Sequence, residues 1–335
     1  MSKPALYPLR FEPIFKPAIW GGRKLAEMFP NAPAEGPIGE AWLLSDQGEN
    51  VSVVADGPLK GTTLRELMRD RREELLGPSL ARHETFPLLL KIIDARENLS
   101  VQVHPDDRLA GRLAGAPRGK SEAWIVMNAE PGSRIFAGLK PGVDRLRLEA
   151  AIAKGTVADC LHSFEPVAGD CIYLQAGTIH ALGGGITVFE VQQTCDITYR
   201  LFDWDRVDAT TGNPRDLHIE KALACTNFTI GPVNPVVSGE RNIPPQPIGG
   251  APILNVWTTT LLRRPYFGLE QCTVTKGPFR HALTGLFVAV EGTATIECGD
   301  WRAVIRPFDA VLVPARARGS IELNGRFTFL KVMPA

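Results

Sequence analysis

No charge of either sign prevails in this 335-residue chain: 37 Lys and Arg stand against 37 Asp and Glu. A dedicated nucleic-acid binder needs a basic face, so the balance argues against that class while leaving room for a local basic pocket. No apolar run approaches the roughly 20 residues that span a bilayer. The N-terminal stretch MSKPALYPLRFEPIFKPAIW is broken by prolines and charges and lacks the continuous apolar segment of a signal peptide. Cysteine is scarce. Cys160, Cys171, Cys195, Cys225, Cys272 and Cys298 form no C-x-x-C pair, and six in a chain this long make no disulfide framework. These absences predict a cytoplasmic protein with reduced thiols, no membrane attachment and no nucleic-acid partner; nothing in them calls for an obligate protein partner. Bulk disorder is excluded too, because 44% of residues are hydrophobic and 22% charged.

At roughly 150 residues per domain the length predicts about two domains. Six prolines between Pro232 and Pro252, with glycines at 231, 239, 249 and 250, can continue neither a helix nor a central strand. The predicted division is therefore a catalytic domain over 1–231, a linker over 232–252, and a C-terminal domain over 253–335. Strand-like runs dominate both parts: PLLLKIIDA, LSVQVH, EAWIVMN and ITVFEVQQ in the first, LEQCTVTKG and FTFLKVM in the second. GLFVAVEGTATIEC reads as a hairpin turning near Glu291 and Gly292. The fold class is thus mainly β, with sandwiches or barrels and few peripheral helices. The clearest helix is 64–76, where Thr63 and Glu66 suggest a capping box and Gly77 a stop. Weaker helical segments are 23–29, 107–114, 144–154 and 217–225. The charged RDRREE face of the first is read as solvated surface, not a binding patch.

Only six histidines are present. For His83, His162, His218 and His281 a surface or structural role is the default. His104 and His180 differ because of their company. In LSVQVH, alternation puts Leu99, Val101 and Val103 on one face and Ser100, Gln102 and His104 on the other, so a core face backs onto one that shows an amide and an imidazole. In GKSEAW, a strand would place Lys120, Glu122 and Trp124 on one face, with the lysine within about 7 Å of the carboxylate. An inward carboxylate there needs pairing or a cation; the alternative is an edge-strand Lys–Glu pair. Lys91 interrupts the apolar run PLLLKIID, where a buried ammonium needs an anionic partner, unless it faces solvent. Arg200 and Asp196 share a strand face, as a structural pair or as cavity lining. Gly183, Gly184 and Gly185 precede a strand, not a helix, so they read as a hairpin turn and not as a phosphate loop.

The segment GDCIYLQAGTIH at 169–180 resembles the second cupin motif, with Gln175 where that family carries proline. Gln102, His104 and the later Glu122 resemble the first, with Gln102 in place of its first histidine. More specifically, IWGG at 19–22, GEAWLLSD at 39–46, KIIDARENLSVQVHPDD at 91–107, GKSEAWIVMN at 119–128, AGTIHALGGGITVFEVQQ at 176–193 and DITYRLFDWDR at 196–206 resemble the type I mannose-6-phosphate isomerases in their short bacterial form. The resemblance covers most of residues 10–230; the last 80 match only in texture. It implies two cupin-like β-barrel or jelly-roll domains and one zinc ion per chain on Gln102, His104, Glu122 and His180; the second domain is expected to be metal-free because residues 253–335 carry a single histidine, His281, and no H-x-H pair. It implies aldose–ketose isomerisation of a sugar phosphate, with Arg200 and Lys120 catalytic and Lys91, Trp20 and Asp196 facing substrate. A sugar-phosphate-binding regulatory cupin and a cupin dioxygenase are the alternatives, the latter disfavoured because only two histidines match.

Overall fold

Leu88–Ala95 and Ile186–Gln193 are rich in Leu, Ile and Val, contain no proline or glycine, and form strands buried along their whole length. They are the two central strands of a six-stranded sheet ordered Cys171–Leu174, Glu122–Ala129, Ile186–Gln193, Leu88–Ala95, Glu40–Leu44 and Ile14–Lys16. A five-stranded sheet is ordered Leu161–Phe164, Ile135–Leu139, His180–Leu182, Val101–Val103 and Tyr199–Phe202. An eight-stranded sheet is built on the long strands Gly285–Cys298 and Ile321–Pro334. The computed structural model describes residues 4–208, 211–236, 256–275, 279–280, 285–317 and 321–335. The architecture is mainly β, with jelly-roll sheets and few helices, as the sequence predicts; the sheets are open rather than closed into barrels.

The chain divides into two compact units. One comprises residues 1–14, 43–88 and 237–335, the other 15–42 and 89–236. This differs from the division expected along the sequence: the early segments 1–14 and 43–88 pack with the C-terminal third. Leu9–Arg10, for example, pairs with Ala310–Val313. The expected linker lies outside the described residues from 237 onward.

In the second unit the six- and five-stranded sheets share an apolar core that includes Ile93, Trp124, Val126 and Val188 from one and Ile135, Ala137 and Leu182 from the other. The opposite face of the five-stranded sheet is covered by helices Asp107–Ala114, Arg145–Ala153 and Ile219–Cys225, through Val101, Val103, Ala181, Tyr199 and Leu201. Period-2 alternation then turns Gln102, His180 and Arg200 toward the inter-sheet side. Leu99 precedes its strand and joins the inter-sheet core instead of the helical side.

All five expected helices form. Leu64–Leu76 has the capping box: Glu66 N–H donates to Thr63 Oγ1 at 3.1 Å, and Thr63 N–H donates to Glu66 Oε2 at 2.8 Å. Two turn assignments are corrected. Gly285–Cys298 is one 14-residue strand, not a hairpin. At Gly292 φ is +77° and a Cβ would lie 2.3 Å from the Arg326 carbonyl oxygen, so the glycine permits a close backbone approach; the register shift against the neighbouring strand falls just before it, between Ala289 and Glu291. The chain reverses later, at Gly299 and Asp300, where Cys298 pairs with Trp301. The three glycines at 183–185 form a turn, yet the strands it joins lie in different sheets, so it is not a hairpin.

Candidate active site

His104 follows Val101–Val103 immediately, and His180 opens His180–Leu182 opposite Gln102. His104 Nδ1 lies 2.8 Å from the Ile197 carbonyl oxygen and His180 Nδ1 lies 2.9 Å from that of Thr178. A carbonyl only accepts, so each Nδ1 carries the proton and each Nε2 presents a lone pair. Both lone pairs converge on Glu122, the first residue of its strand: His180 Nε2 is 3.2 Å from Oε1 and His104 Nε2 is 3.6 Å from Oε2. The three donor atoms lie within 4.8 Å of one another, and all three side chains are buried. Gln102 completes the group, its amide nitrogen 3.4 Å from His180 Nε2 and its oxygen 3.2 Å from Ser100 Oγ. A half-turn of the amide exchanges its two ends.

This arrangement fits a divalent cation. His104 Nε2 is buried with no hydrogen-bond partner, an unfavourable state for an isolated lone pair. Two imidazoles, a carboxylate and an amide oxygen are the donor chemistry of a catalytic divalent site. Among the described residues, this is the one group of three His, Cys, Asp or Glu side chains so placed. His281 lies outside the described residues.

Charged side chains frame a cavity of about 120 Å³ beside these ligands, lined in part by Trp20, Lys91, Lys120, Glu190, Asp196 and Arg200. Lys91 is 2% exposed. Its ammonium meets Glu40 at 3.2 Å, Glu190 at 3.6 Å and Asp196 at 3.8 Å, and lies over the Trp42 ring. Lys120 Nζ is 2.9 Å from Glu122 Oε2 and 3.7 Å from Glu190 Oε1. The solvent-facing alternative for Lys91 and the edge-strand alternative for Lys120 are therefore both excluded. Arg200 lies opposite Gln102 in register. Its Nε donates to Ser100 Oγ at 3.2 Å and its Nη1 to the Asp216 carbonyl at 2.8 Å, while Asp196 turns to Lys91. Trp20 is buried in the core at the cavity wall.

The electrostatics follow from this pairing. Burial by itself raises the Glu122 carboxyl, but the Lys120 ammonium beside it outweighs that and helps hold it well below the usual range. Burial, then Lys120, depress His104, which stays a neutral ligand. Burial would strip Lys91 and Lys120 of their protons, yet Glu40 and Glu190 for the former, and Glu122 and Glu190 for the latter, raise both. Glu190 moves the other way from Glu122: burial and the Glu122 charge push it up.

The site thus gathers Gln102, His104, Glu122, His180, Lys91, Lys120, Trp20, Asp196 and Arg200 around one cavity. Sequence reasoning missed Glu190, Glu40, Ser100 and Arg215. Glu190 gave the same signal as Lys91, a single charge inside an apolar strand, ITVFEVQQ beside PLLLKIID. Glu40 lies at the start of the quoted segment GEAWLLSD but carried no partner signal of its own, and Arg215 sits in polar, glycine- and proline-bearing surroundings and gave none.

Comparison with known proteins agrees with the geometry. A family model described as phosphomannose isomerase type I, catalytic domain, matches residues 9–124. Mannose-6-phosphate isomerase ManA of Bacillus subtilis is 33% identical over 320 residues, covering 95% of this chain and 96% of the relative. A mannose-6-phosphate isomerase of Streptococcus mutans is 35% identical over 304 residues, covering 88% and 89%. The crystal structure of the mannose 6-phosphate isomerase from Bacillus subtilis is similar with a TM-score of 0.83 at 29% identity, over 97% of this chain and 99% of that one.

Proposed function

The chain belongs to the type I phosphomannose isomerase family, and from that premise we infer that it interconverts mannose 6-phosphate and fructose 6-phosphate through an enediol. The observation that carries this reading is the cavity itself. A group of metal-ligating side chains there stands beside two buried ammonium groups and a guanidinium. Gln102, His104, Glu122 and His180 would hold the ion, and their two-nitrogen, two-oxygen set suits zinc. When bound, the ion supplies a Lewis acid that polarises a substrate oxygen at C1 or C2.

The chain's own residues supply the rest. Isomerisation moves a proton from C2 to C1 and builds negative charge on the enediol oxygens. Lys120 is kept protonated by Glu122 and Glu190, so it acts as a charged hydrogen-bond donor to those oxygens, not as a base. Arg200 keeps its charge at any working pH and adds further donors. Glu190 lies between Lys91 and Lys120 with Oε2 held by the Trp124 indole N–H at 2.9 Å; its raised pKa suits proton transfer between the carbons. Lys91, Trp20 and Asp196 form the wall against which the sugar is oriented.

We place the protein in the cytoplasm on the scarcity of its cysteines and their lack of paired spacing. No helix among the described residues is long and apolar enough to cross a membrane. The test is an assay coupling fructose 6-phosphate formation to a dehydrogenase, with and without a chelator. Turnover that chelation abolishes and zinc restores is the expected result; absence of turnover in metal-loaded protein refutes the reading.

A further inference from the structure

The cavity's charges are not evenly compensated. Its two ammonium groups are surrounded by the carboxylates of Glu40, Glu122, Glu190 and Asp196 at 2.9–3.8 Å. Two guanidiniums, Arg200 and Arg215, line the same cavity. Arg200's contacts there are to neutral oxygens. Arg215 donates from Nε to Asp203 Oδ2 at 2.8 Å and from Nη2 to Oδ1 at 2.6 Å. Asp203 is 5% exposed, so this fork is anchored from the protein side. A guanidinium offers five N–H donors in a rigid plane. Asp203 takes the Nε side, which leaves the Nη1 edge for a second oxyanion.

The place of Arg215 relative to the metal ligands follows from strand register and its pairing with Asp203. Arg200 faces Gln102 and Phe202 faces Val101, so the step from Arg200 to Asp203 runs away from His104 and past Ser100. Three residues cover at most about 10 Å, and somewhat less here because the register shifts between Arg200 and Phe202. That is similar to the reach of a hexose 6-phosphate between its carbonyl end and its ester. With the carbonyl end at the metal ligands, the phosphate arrives at Arg215.

We propose that Arg215 binds the phosphate of the substrate, with Asp203 as the positioning residue that fixes its plane. The assignment rests on the isomerase reading above and adds to it the residue that selects a phosphorylated sugar. A phosphate dianion matches the open edge of a fork-shaped donor, and it relieves the repulsion between two neighbouring cations. That repulsion is visible in Arg200, whose pKa is lowered first by burial and then by the charge of Arg215.

Arg215→Gln alone would leave the buried Asp203 carboxylate without a cation, so the main variant is the double change Asp203→Asn with Arg215→Gln, which leaves an amide pair. Arg215→Lys is the second variant, keeping the charge and losing the fork. In the zinc-loaded double variant, KM for mannose 6-phosphate should rise about ten- to a hundredfold, the range of a lost charged hydrogen bond. The inhibition constant of inorganic phosphate should rise in parallel, and kcat should move by less than about threefold. Arg215→Lys should fall between the wild type and the double variant. A folded double variant with unchanged KM and unchanged phosphate inhibition overturns the proposal, as does a loss confined to kcat. Failure of the wild type to turn over mannose 6-phosphate would overturn the isomerase reading instead; calorimetry with inorganic phosphate on wild type and double variant then still decides for or against Arg215.

Discussion

The two compact units bury different things. In the unit built on the eight-stranded sheet, the core around Phe287, Phe327 and Phe329 is apolar, and its buried acid, Asp46, is fully engaged. Asp46 accepts from Arg65 Nε at 2.9 Å and from the Phe86 N–H at 3.0 Å. In the other unit, Lys91, His104, Lys120, Glu122, His180 and Glu190 are all buried, and His104 Nε2 meets no donor. Both interiors come from the same strand grammar. The difference is that one closes its buried carboxylate on a side chain and a backbone N–H of its own, while the other turns its buried charges toward a cavity. Unsatisfied buried polarity of that kind persists where a ligand completes it.

The sharpest way to break this contrast is to remove a ligand. His104→Ala or His180→Ala should abolish tight retention of the divalent ion and reduce turnover to the assay background. Either variant retaining a stoichiometric ion by elemental analysis would mean that the donor set is misassigned.

Arg200→Ala comes next. A group that stabilises charge only in the transition state should cost roughly two or more orders of magnitude in kcat, with KM changed less. Metal content should stay normal, because Arg200 is not in the donor set. A purely structural Arg200 would instead lose thermal stability in step with activity. Near-normal kcat in a stable, metal-loaded variant would remove Arg200 from the chemistry.

A paired comparison then tests the units against each other. Phe329→Ala should cost about 3–5 kcal/mol through the cavity it opens. Lys91→Met should cost about 3–5 kcal/mol as well, by leaving Glu40, Glu190 and Asp196 without their shared cation. Similar losses in chemical denaturation should accompany opposite kinetics: the folded Phe329 variant keeps kcat, and the Lys91 variant loses it. A tenfold fall in kcat for Phe329→Ala below its melting temperature would contradict the division of labour.

Much of this was legible because local rules and global fold agree. The Thr63–Glu66 capping box is complete within four residues, so nothing distant could hide it. Alternation in LSVQVH set Gln102 and His104 apart from Val101 and Val103 for the same reason. What failed depended on distant partners. Gly292 reads as a turn residue until the strand Ile321–Pro334 is brought alongside, where it pairs with Phe327 and leaves room for the Arg326 carbonyl. The Asp196–Arg200 pairing was plausible from spacing, but Lys91 reaches Asp196 from another sheet. The association of residues 1–14 and 43–88 with the last third is invisible to a linear scan for linkers. Arg215 acquires its role only through Asp203, twelve positions earlier in a looped segment.

The smallest expected effect concerns Glu40, at the edge of the charged interior. Burial would raise its carboxyl, but the Lys91 ammonium and the Trp42 indole N–H, which donates at 2.5 Å, bring it below the ordinary value of 4.5. A depressed carboxyl means that the folded state favours the ionised form. Its contribution is therefore present above about pH 4.5 and is lost as pH falls through the lower folded-state value. The side chain is partly open to solvent, so the pair contributes about 1 kcal/mol, or about 2–4 °C in a domain of this size. Glu40→Gln cannot titrate. Its melting temperature should lie below that of the wild type at neutral pH, and the gap should narrow as pH drops below 4.5. The gap, not either curve alone, is the readout, because both proteins lose bound metal in acid as their histidines protonate. A gap that stays constant from neutral pH down to pH 3 would show that Glu40 acts through packing against Trp42, and not through its charge.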